Sequence, residues 1–308
     1  MIMRLVFVAT GDIALPSFRH LLEHGPRPLA LVTQPDKPVG RHQTLTPPAI
    51  KTEALAAGIP VYQPEKIGDA TGELAALDPE VIVVMAYGQI LRKNILTLAS
   101  KAIINLHASL LPKYRGAACI QAAIDAGDAE SGITAMHVIR ELDAGDIIFS
   151  KAIPIAADET GGSLHDRLAD LAAEVLAETL TQLAEGTAPR IPQDPALVSY
   201  IPKLERDDGR LDWTMPAASI ECRIRAYDPW PGTFTTAFEG GNTKRLKIHP
   251  PTRVVDAQLP SGEVSCEGGK LIVGCGEGAL ELTTVQPEGG KRMSAADYLR
   301  GRKPEVFR

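Results

Sequence analysis

Ala102-Ile103-Ile104-Asn105-Leu106-His107 opens as an apolar run and closes on two polar side chains set two residues apart. In a strand, residues i and i+2 point to the same side, so an amide and an imidazole would face one spot just where a loop begins. Leu5-Val6-Phe7-Val8-Ala9, Leu29-Ala30-Leu31-Val32 and Val81-Ile82-Val83-Val84-Met85 are further apolar runs before it, and Ile133 to Val138 is one after it. Between these runs Ala14 to Leu22, Pro48 to Ala57 and Ala118 to Ala126 read as helices, the second opening on a proline and closing at Gly58, as helix ends do. Apolar runs alternating with helices predict strands buried on both faces of a parallel α/β sheet, in a doubly wound layout. Ligands of such sheets bind beyond the carboxyl ends of the strands, where Asn105 and His107 would emerge.

Further along, Leu164, Leu168, Leu171, Val175, Leu176, Leu180 and Leu183 recur at three- and four-residue spacing up to Gly186, which predicts a long helix over Ser163 to Ala184. Thr187 to Pro202 holds four prolines without helical periodicity, the pattern of a stiff, extended connection. Beyond it, Gly232 to Phe238, Arg245 to Ile248 and Lys270 to Val273 are short β-prone pieces punctuated by glycines, which predict a small antiparallel β-barrel. The expected organisation is an α/β domain over 1–189, a Pro-rich linker over 190–205 and a barrel domain over 206–308.

At 308 residues, with 44% hydrophobic and 23% charged residues, the chain can bury a full core and is not a disordered one. A net charge of -6 argues against indiscriminate coating of nucleic acid, yet Lys and Arg are proportionally richer in the C-terminal hundred residues, where a polyanion could dock. Cys119, Cys222, Cys266 and Cys275 form no C-x-x-C pair, which suggests neither a zinc site nor a disulfide framework. With no secretory leader and no apolar stretch of membrane-spanning length, a cytoplasmic location is expected.

The turn Ala9-Thr10-Gly11-Asp12 lacks the G-x-G-x-x-G spacing of a dinucleotide fold, which disfavours a nicotinamide cofactor. Gly274-Cys275-Gly276-Glu277-Gly278 sits among predicted antiparallel strands and reads as a hairpin turn. Taken alone, Asn105 and His107 read more readily as a loop cap and a satisfied histidine, and Asp143, in Glu141-Leu142-Asp143-Ala144-Gly145-Asp146, as a solvated turn aspartate. No short ligand spacing around His107, His137 or the acidic turn points to a metal.

His107-Ala108-Ser109-Leu110-Leu111-Pro112-Lys113-Tyr114-Arg115-Gly116, preceded by Asn105 and followed by Leu142 to Asp146, resembles the signature of the folate-dependent formyltransferases. Members of that family act on glycinamide ribonucleotide, on sugar nucleotides, on formyltetrahydrofolate itself and on charged tRNA, so the signature bears on chemistry more than on substrate. Ile201 to Leu204, Asp208 to Trp213, Ile224 to Gly232 and Gln286 to Lys291 resemble the C-terminal domain of the tRNA-directed branch. The resemblance spans nearly the whole chain. It implies a Rossmann-like catalytic domain followed by an OB-like barrel, and formylation of the methionine amino group on initiator tRNA. The implied cosubstrate is 10-formyltetrahydrofolate, with no metal and no nicotinamide. A sugar-nucleotide N-formyltransferase using the same catalytic residues is the alternative, and a noncatalytic RNA-binding protein is a rival from another class.

Carried over residue by residue, the resemblance implies catalysis by Asn105, His107 and Asp143. It sets the folate against Ala86, Tyr87, Gly88, Gln89, Ile90 and Leu91, against Ser109, Leu110, Leu111 and Pro112, and against Arg140, Glu141 and Leu142. Gln34 to Arg41 resembles the loop that enters the tRNA acceptor stem, which gives Arg41 and Lys37 as contacts to the acceptor stem and 3′ end, although His42-Gln43-Thr44 replaces a more basic stretch often seen there. Lys244, Arg245 and Lys247 form a basic cluster in the barrel domain that could add phosphate contacts. The same resemblance implies a monomer, and no protein partner is expected.

Overall fold

Val6, Phe7, Val8 and their neighbours in Leu5–Ala9 are buried on both faces, because this strand lies inside a seven-stranded sheet with partners on either side. The strands run in the order Ile147–Pro154, Glu130–His137, Ala102–His107, Val81–Met85, Leu5–Ala9, Ala30–Val32, Val61–Tyr62. Leu5–Ala9 pairs parallel with both Ala30–Val32 and Val81–Met85, and Val81–Met85 pairs parallel with Ala102–His107. The chain therefore winds outward on one side of Leu5–Ala9 and then on the other. The reversal places a topological switch point beyond Ala9 and Met85, the crevice where open α/β sheets take ligands.

The computed structural model describes residues 3–40 and 43–308. Its helices Leu15–Glu23, Ala49–Ala56, Cys119–Asp125 and Gly161–Glu185 fall within a few residues of those predicted. The expectation of an all-parallel sheet is corrected at one strand: Glu130–His137 pairs antiparallel with Ala102–His107, His107 lying opposite Thr134 and Asn105 opposite Met136.

Two compact units emerge. The first takes the chain up to Gly116 with Ser131–Ile153 and His165–Ile201, and the second takes Ala117–Glu130, Pro154–Leu164 and Pro202–Arg308. In the first, Val6, Val8, Ile82, Val84, Leu74 and Ile95 share a core on one face of the sheet. The Pro-rich stretch is paired into this unit as far as Ile201: Ile191 bridges Ile147, and Tyr200–Ile201 pairs parallel with Arg115–Gly116.

The second unit is a nearly closed antiparallel sheet in the order Val264–Ser265, Leu271–Gly274, Ala279–Pro287, Asn242–Val255, Thr233–Glu239, Val306–Phe307. A bridge between Glu263 and Val306 joins its two ends, which covers edges that would otherwise invite pairing with another chain. Asn242–Val255 is fourteen residues long and changes register between His249 and Thr252, the bulge letting one strand bend around the barrel. Leu246, Ile248, Leu271, Val273, Leu280, Leu282, Trp213 and Phe307 fill the interior. Gly274 and Ala279 face each other across the hairpin, with Cys275 N donating to Gly278 O, so the glycine-rich run is the turn its surroundings predicted.

Candidate active site

Asn105 and His107 sit at the carboxyl end of Ala102–His107, beside the switch point, and the loop that follows folds back on them. Thr134, opposite His107, fastens that loop: its hydroxyl donates to Ser109 O at 2.7 Å and accepts from Leu111 N at 3.2 Å. The Ser109 hydroxyl donates to Lys113 O at 2.7 Å. The return brings the Tyr114 carbonyl to 2.9 Å from His107 Nε2. A carbonyl only accepts, so Nε2 carries a proton and Nδ1 is the nitrogen turned toward Asp143, whose Oδ2 lies 3.7 Å away. The same Oδ2 accepts the amide of Gly116 at 2.8 Å. The imidazole and carboxylate side chains are 7% and 11% exposed, so their interaction is little screened by solvent.

Tyr114, whose carbonyl meets His107, and Asp143 itself are non-glycine residues with positive φ, at +60° and +50°. L residues adopt that region at a cost that the surrounding structure must sustain, and such positions gather at functional sites. Two glycines make the arrangement possible. A Cβ on Gly145 would meet His137 O at 1.7 Å, and one on Gly116 would meet Ile201 O at 2.3 Å.

The segment after Val81–Met85 is tied to the switch point through its backbone. Gly11 N donates to Ala86 O at 3.1 Å, while the Thr10 hydroxyl and Gln34 Nε2 donate to Tyr87 O at 3.3 and 3.1 Å. Tyr87 turns its ring into the core, and burial pushes its hydroxyl up to about 12. Gln89 is also occupied, accepting from Ile67 N and donating to Glu65 O, each at 2.9 Å. Leu91 is buried, whereas Ala86 and Gly88 are exposed and Ile90 is 74% exposed. Arg140 and Glu141 are exposed, as is Leu142 at 54%. Ser109 and Leu111 are buried within their loop and Leu110 and Pro112 partly so.

His137, one residue past Met136, faces the other side of the sheet from Asn105 and His107. Burial and the Arg190 guanidinium hold it below the usual imidazole value despite nearby Asp146.

The residues marked for a polyanion lie in two places. Lys37 belongs to the hairpin Lys37–Val39 and Thr44–Thr46 and donates to Gln34 Oε1 at 3.1 Å. Arg41, between those strands, lies outside the described residues. The hairpin base is pinned by Asp36, which accepts from Lys51 at 2.8 Å and from Gln63 at 2.7 Å. Lys244, Arg245 and Lys247 are exposed on Asn242–Val255, but strand alternation turns Arg245 and Lys247 one way and Lys244 the other, with buried Leu246 and Ile248. The Arg245 guanidinium lies 3.4 Å from the Phe234 ring centroid.

Sequence reasoning passed over Thr134, the backbone of Tyr114 and Gly116 and the side chain of Thr10, and read Gln34 only as the first residue of the segment given to the tRNA. Tyr114 to Gly116 stood inside the signature and were the one available signal; the others act through partners distant in sequence. Among the described residues no helix is long and apolar enough to cross a membrane, and no group of three or more His, Cys, Asp or Glu side chains could hold a metal ion.

Residues 4–180 match the model of the family described as formyl transferase, and residues 203–303 match that of the formyl transferase C-terminal domain. The chain is similar to the methionyl-tRNA formyltransferase of Akkermansia muciniphila, at 51% identity covering 97% of this chain and 96% of that protein. It is 45% identical to the methionyl-tRNA formyltransferase of Moorella thermoacetica, with 97% and 96% covered. Among solved structures it is similar to an N-formyltransferase from Helicobacter canadensis in complex with folinic acid and dTDP-3-aminofucose, with a TM-score of 0.68 at 16% identity, covering 94% of this chain and 100% of that one. HypX from Aquifex aeolicus, in complex with tetrahydrofolic acid, gives a TM-score of 0.63 at 17% identity over 97% of this chain; the chain spans about half of HypX, 47%. At such identities the structural likeness shows a shared fold.

Proposed function

The chain belongs to the formyl transferase family, and from that premise we propose that it transfers the formyl group of 10-formyltetrahydrofolate to the amino group of methionyl initiator tRNA. The observation that carries the substrate assignment is the 51% identity to a methionyl-tRNA formyltransferase over nearly the full length of both chains, barrel included. Sugar-directed relatives share the fold at 15–16% identity.

The folate brings an activated one-carbon unit. The neutral amine attacks the formyl carbon, the bond from that carbon to the folate nitrogen breaks, and the proton lost by the amine is delivered to the departing nitrogen, which leaves tetrahydrofolate. Asn105 donates its amide to the developing oxyanion. His107 exchanges a proton with the reacting groups, and Asp143 orients its Nδ1 side or accepts the amine proton through water. The His107 ring is supported in this role by the Tyr114 carbonyl at one nitrogen and the Asp143 carboxylate near the other.

For the folate we propose the backbone of Ala86 to Leu91, the loop Ser109 to Pro112 and the stretch Arg140 to Leu142, with Tyr87 and Gln89 contributing through the chain path rather than their occupied side chains. For the tRNA we propose Arg41 and Lys37 at the acceptor stem and 3′ end, and the basic strand of the barrel along the body. Residues 1–189 would be the catalytic domain and 206–308 the tRNA-binding one, in a monomer working in the cytoplasm, where translation begins.

Formyl transfer from 10-formyltetrahydrofolate is measured to methionyl initiator tRNA, free methionine and an amino-sugar nucleotide, with His107→Ala as control. Transfer to the charged tRNA, lost in the control, is the expected result. Transfer to the sugar nucleotide alone overturns the substrate, and transfer to none of the acceptors overturns the activity.

A further inference from the structure

Gln193 lies in the Pro-rich stretch after the long helix, yet its amide is saturated by groups of the candidate site. Nε2 donates to Asp143 O and to Gly145 O, each at 2.8 Å. Oε1 accepts from Arg115 Nε at 3.0 Å and Nη2 at 2.8 Å. Carbonyls only accept and a guanidinium only donates, so the four contacts fix the amide orientation, and an amide offers just two donors and two acceptor sites. Arg115 is 8% exposed and is held from its other side by the Tyr200 hydroxyl at 3.1 Å.

These contacts bracket Asp143, whose backbone at φ +50° persists only if its surroundings hold it. The same stretch supports the imidazole. Ser199 O accepts from Arg115 N at 2.8 Å and Ser199 Oγ from Tyr114 N at 2.9 Å, which locates the Tyr114 carbonyl that His107 meets and the Gly116 amide that Asp143 meets.

We infer that Gln193 is a positioning residue for formyl transfer, locking the Asp143 turn to the Arg115 strand so that carboxylate and imidazole keep their relative placement. The inference rests on the proposed catalytic roles of Asp143 and His107. Glutamine suits the position because it alone combines this reach with both donors and acceptors. Glutamate would keep the Arg115 bonds but set a carboxylate oxygen against two carbonyl oxygens.

Steady-state formyl transfer to methionyl-tRNA is measured for wild type, Gln193→Glu, Asp143→Asn and the double variant, with circular dichroism to verify folding. Gln193→Met, similar in length and uncharged, removes the same donors without adding charge and keeps the test open if Gln193→Glu does not fold. Either Gln193 variant is expected to lower kcat roughly 10²-fold while both KM values hold, since orientation rather than binding is lost. In the Asp143→Asn background the same change should cost no more than about twofold, because the two residues act as a unit. Wild-type kcat in both Gln193 variants, or losses that multiply fully in the double variant, overturns the inference. Wild-type kcat in Asp143→Asn overturns the catalytic reading and this inference with it, whereas loss there without loss at Gln193 overturns the inference alone.

Discussion

His107 donates from Nε2 to the carbonyl of Tyr114 across 2.9 Å, a bond that spends one ring nitrogen on the protein and leaves the other facing Asp143. Structural and chemical duties of the ring are therefore separable by substitution. Glutamine can reproduce an Nε2-like donor but not an imidazole. His107→Gln should fold like the wild type and lose roughly 10² to 10⁴ in kcat, the range of positioned proton transfer. His107→Ala should lose activity similarly and also about 1–3 kcal/mol of stability, because the Tyr114 carbonyl loses its donor in a largely buried setting. Urea unfolding beside steady-state rates separates the two; equal stability of both variants would show that the Tyr114 contact carries no structural weight.

Asn105 shares its side of the strand with His107 but is partly exposed, which the proposed role of oxyanion donor requires. Asn105→Ala is expected to lower kcat about 10² to 10³-fold, the scale of one lost oxyanion donor, with both KM values near wild type. A rise in folate KM with kcat intact would make Asn105 a binding residue instead.

Tyr87 presents its hydroxyl to the core, where it is buried without a protein hydrogen-bond partner among the described residues. An unsatisfied buried hydroxyl costs about 1–3 kcal/mol. Tyr87→Phe should therefore hold or raise the thermal midpoint, and the folate KM is the diagnostic companion. A large rise in that KM would mean the hydroxyl reaches ligand and that the loop serves the folate through more than its backbone.

How much of this was readable beforehand differs between elements for physical reasons. The apolar runs at Leu5, Val81 and Ala102 announced the sheet because strands buried on both faces cannot carry polar residues. The direction of Glu130–His137 was hidden, since burial is the same for parallel and antiparallel neighbours. Asn242–Val255 was read only over Arg245 to Ile248 because Pro250 and Pro251 interrupt the alternation at its bulge. Asn105, His107 and Asp143 were found through a signature, yet nothing local announced that the chain seven residues on would return to the His107 ring. Gln193 was invisible among prolines, its partners lying 48 to 78 residues away.

In the barrel unit, Asp228 is held below the usual carboxylate range, first by its interaction with His249 and then by Arg292, against partial burial. The contacts are 3.7 Å from His249 Nδ1 and 3.3 Å from Arg292. A carboxyl lowered on folding stabilises above its unfolded pKa of about 3.9, and that contribution is lost as pH falls through the lower folded value. Asp228→Asn should be less stable than wild type at pH 7 by about 1–2 kcal/mol, the scale of a charged hydrogen bond. The difference should close as pH falls below about 4. A gap that stays constant down to pH 3 would assign the effect to packing.

On Asn242–Val255, Leu246 and Ile248 point into the core, so Arg245 and Lys247 share the outward face while Lys244 takes the inner side near the hairpin end. Phe234 stands opposite Lys247 and beneath the Arg245 guanidinium, which fixes that charge in place rather than leaving it to wave in solvent. If this face meets tRNA phosphates, Lys247→Ala and Arg245→Ala should each raise the KM for charged tRNA and reduce the dependence of log KM on log salt by about one unit. Lys244→Ala should leave that slope unchanged, and kcat should hold in all three. Equal slopes across the three variants and wild type would reduce the cluster to solvated surface charge and move the tRNA contact elsewhere on the barrel.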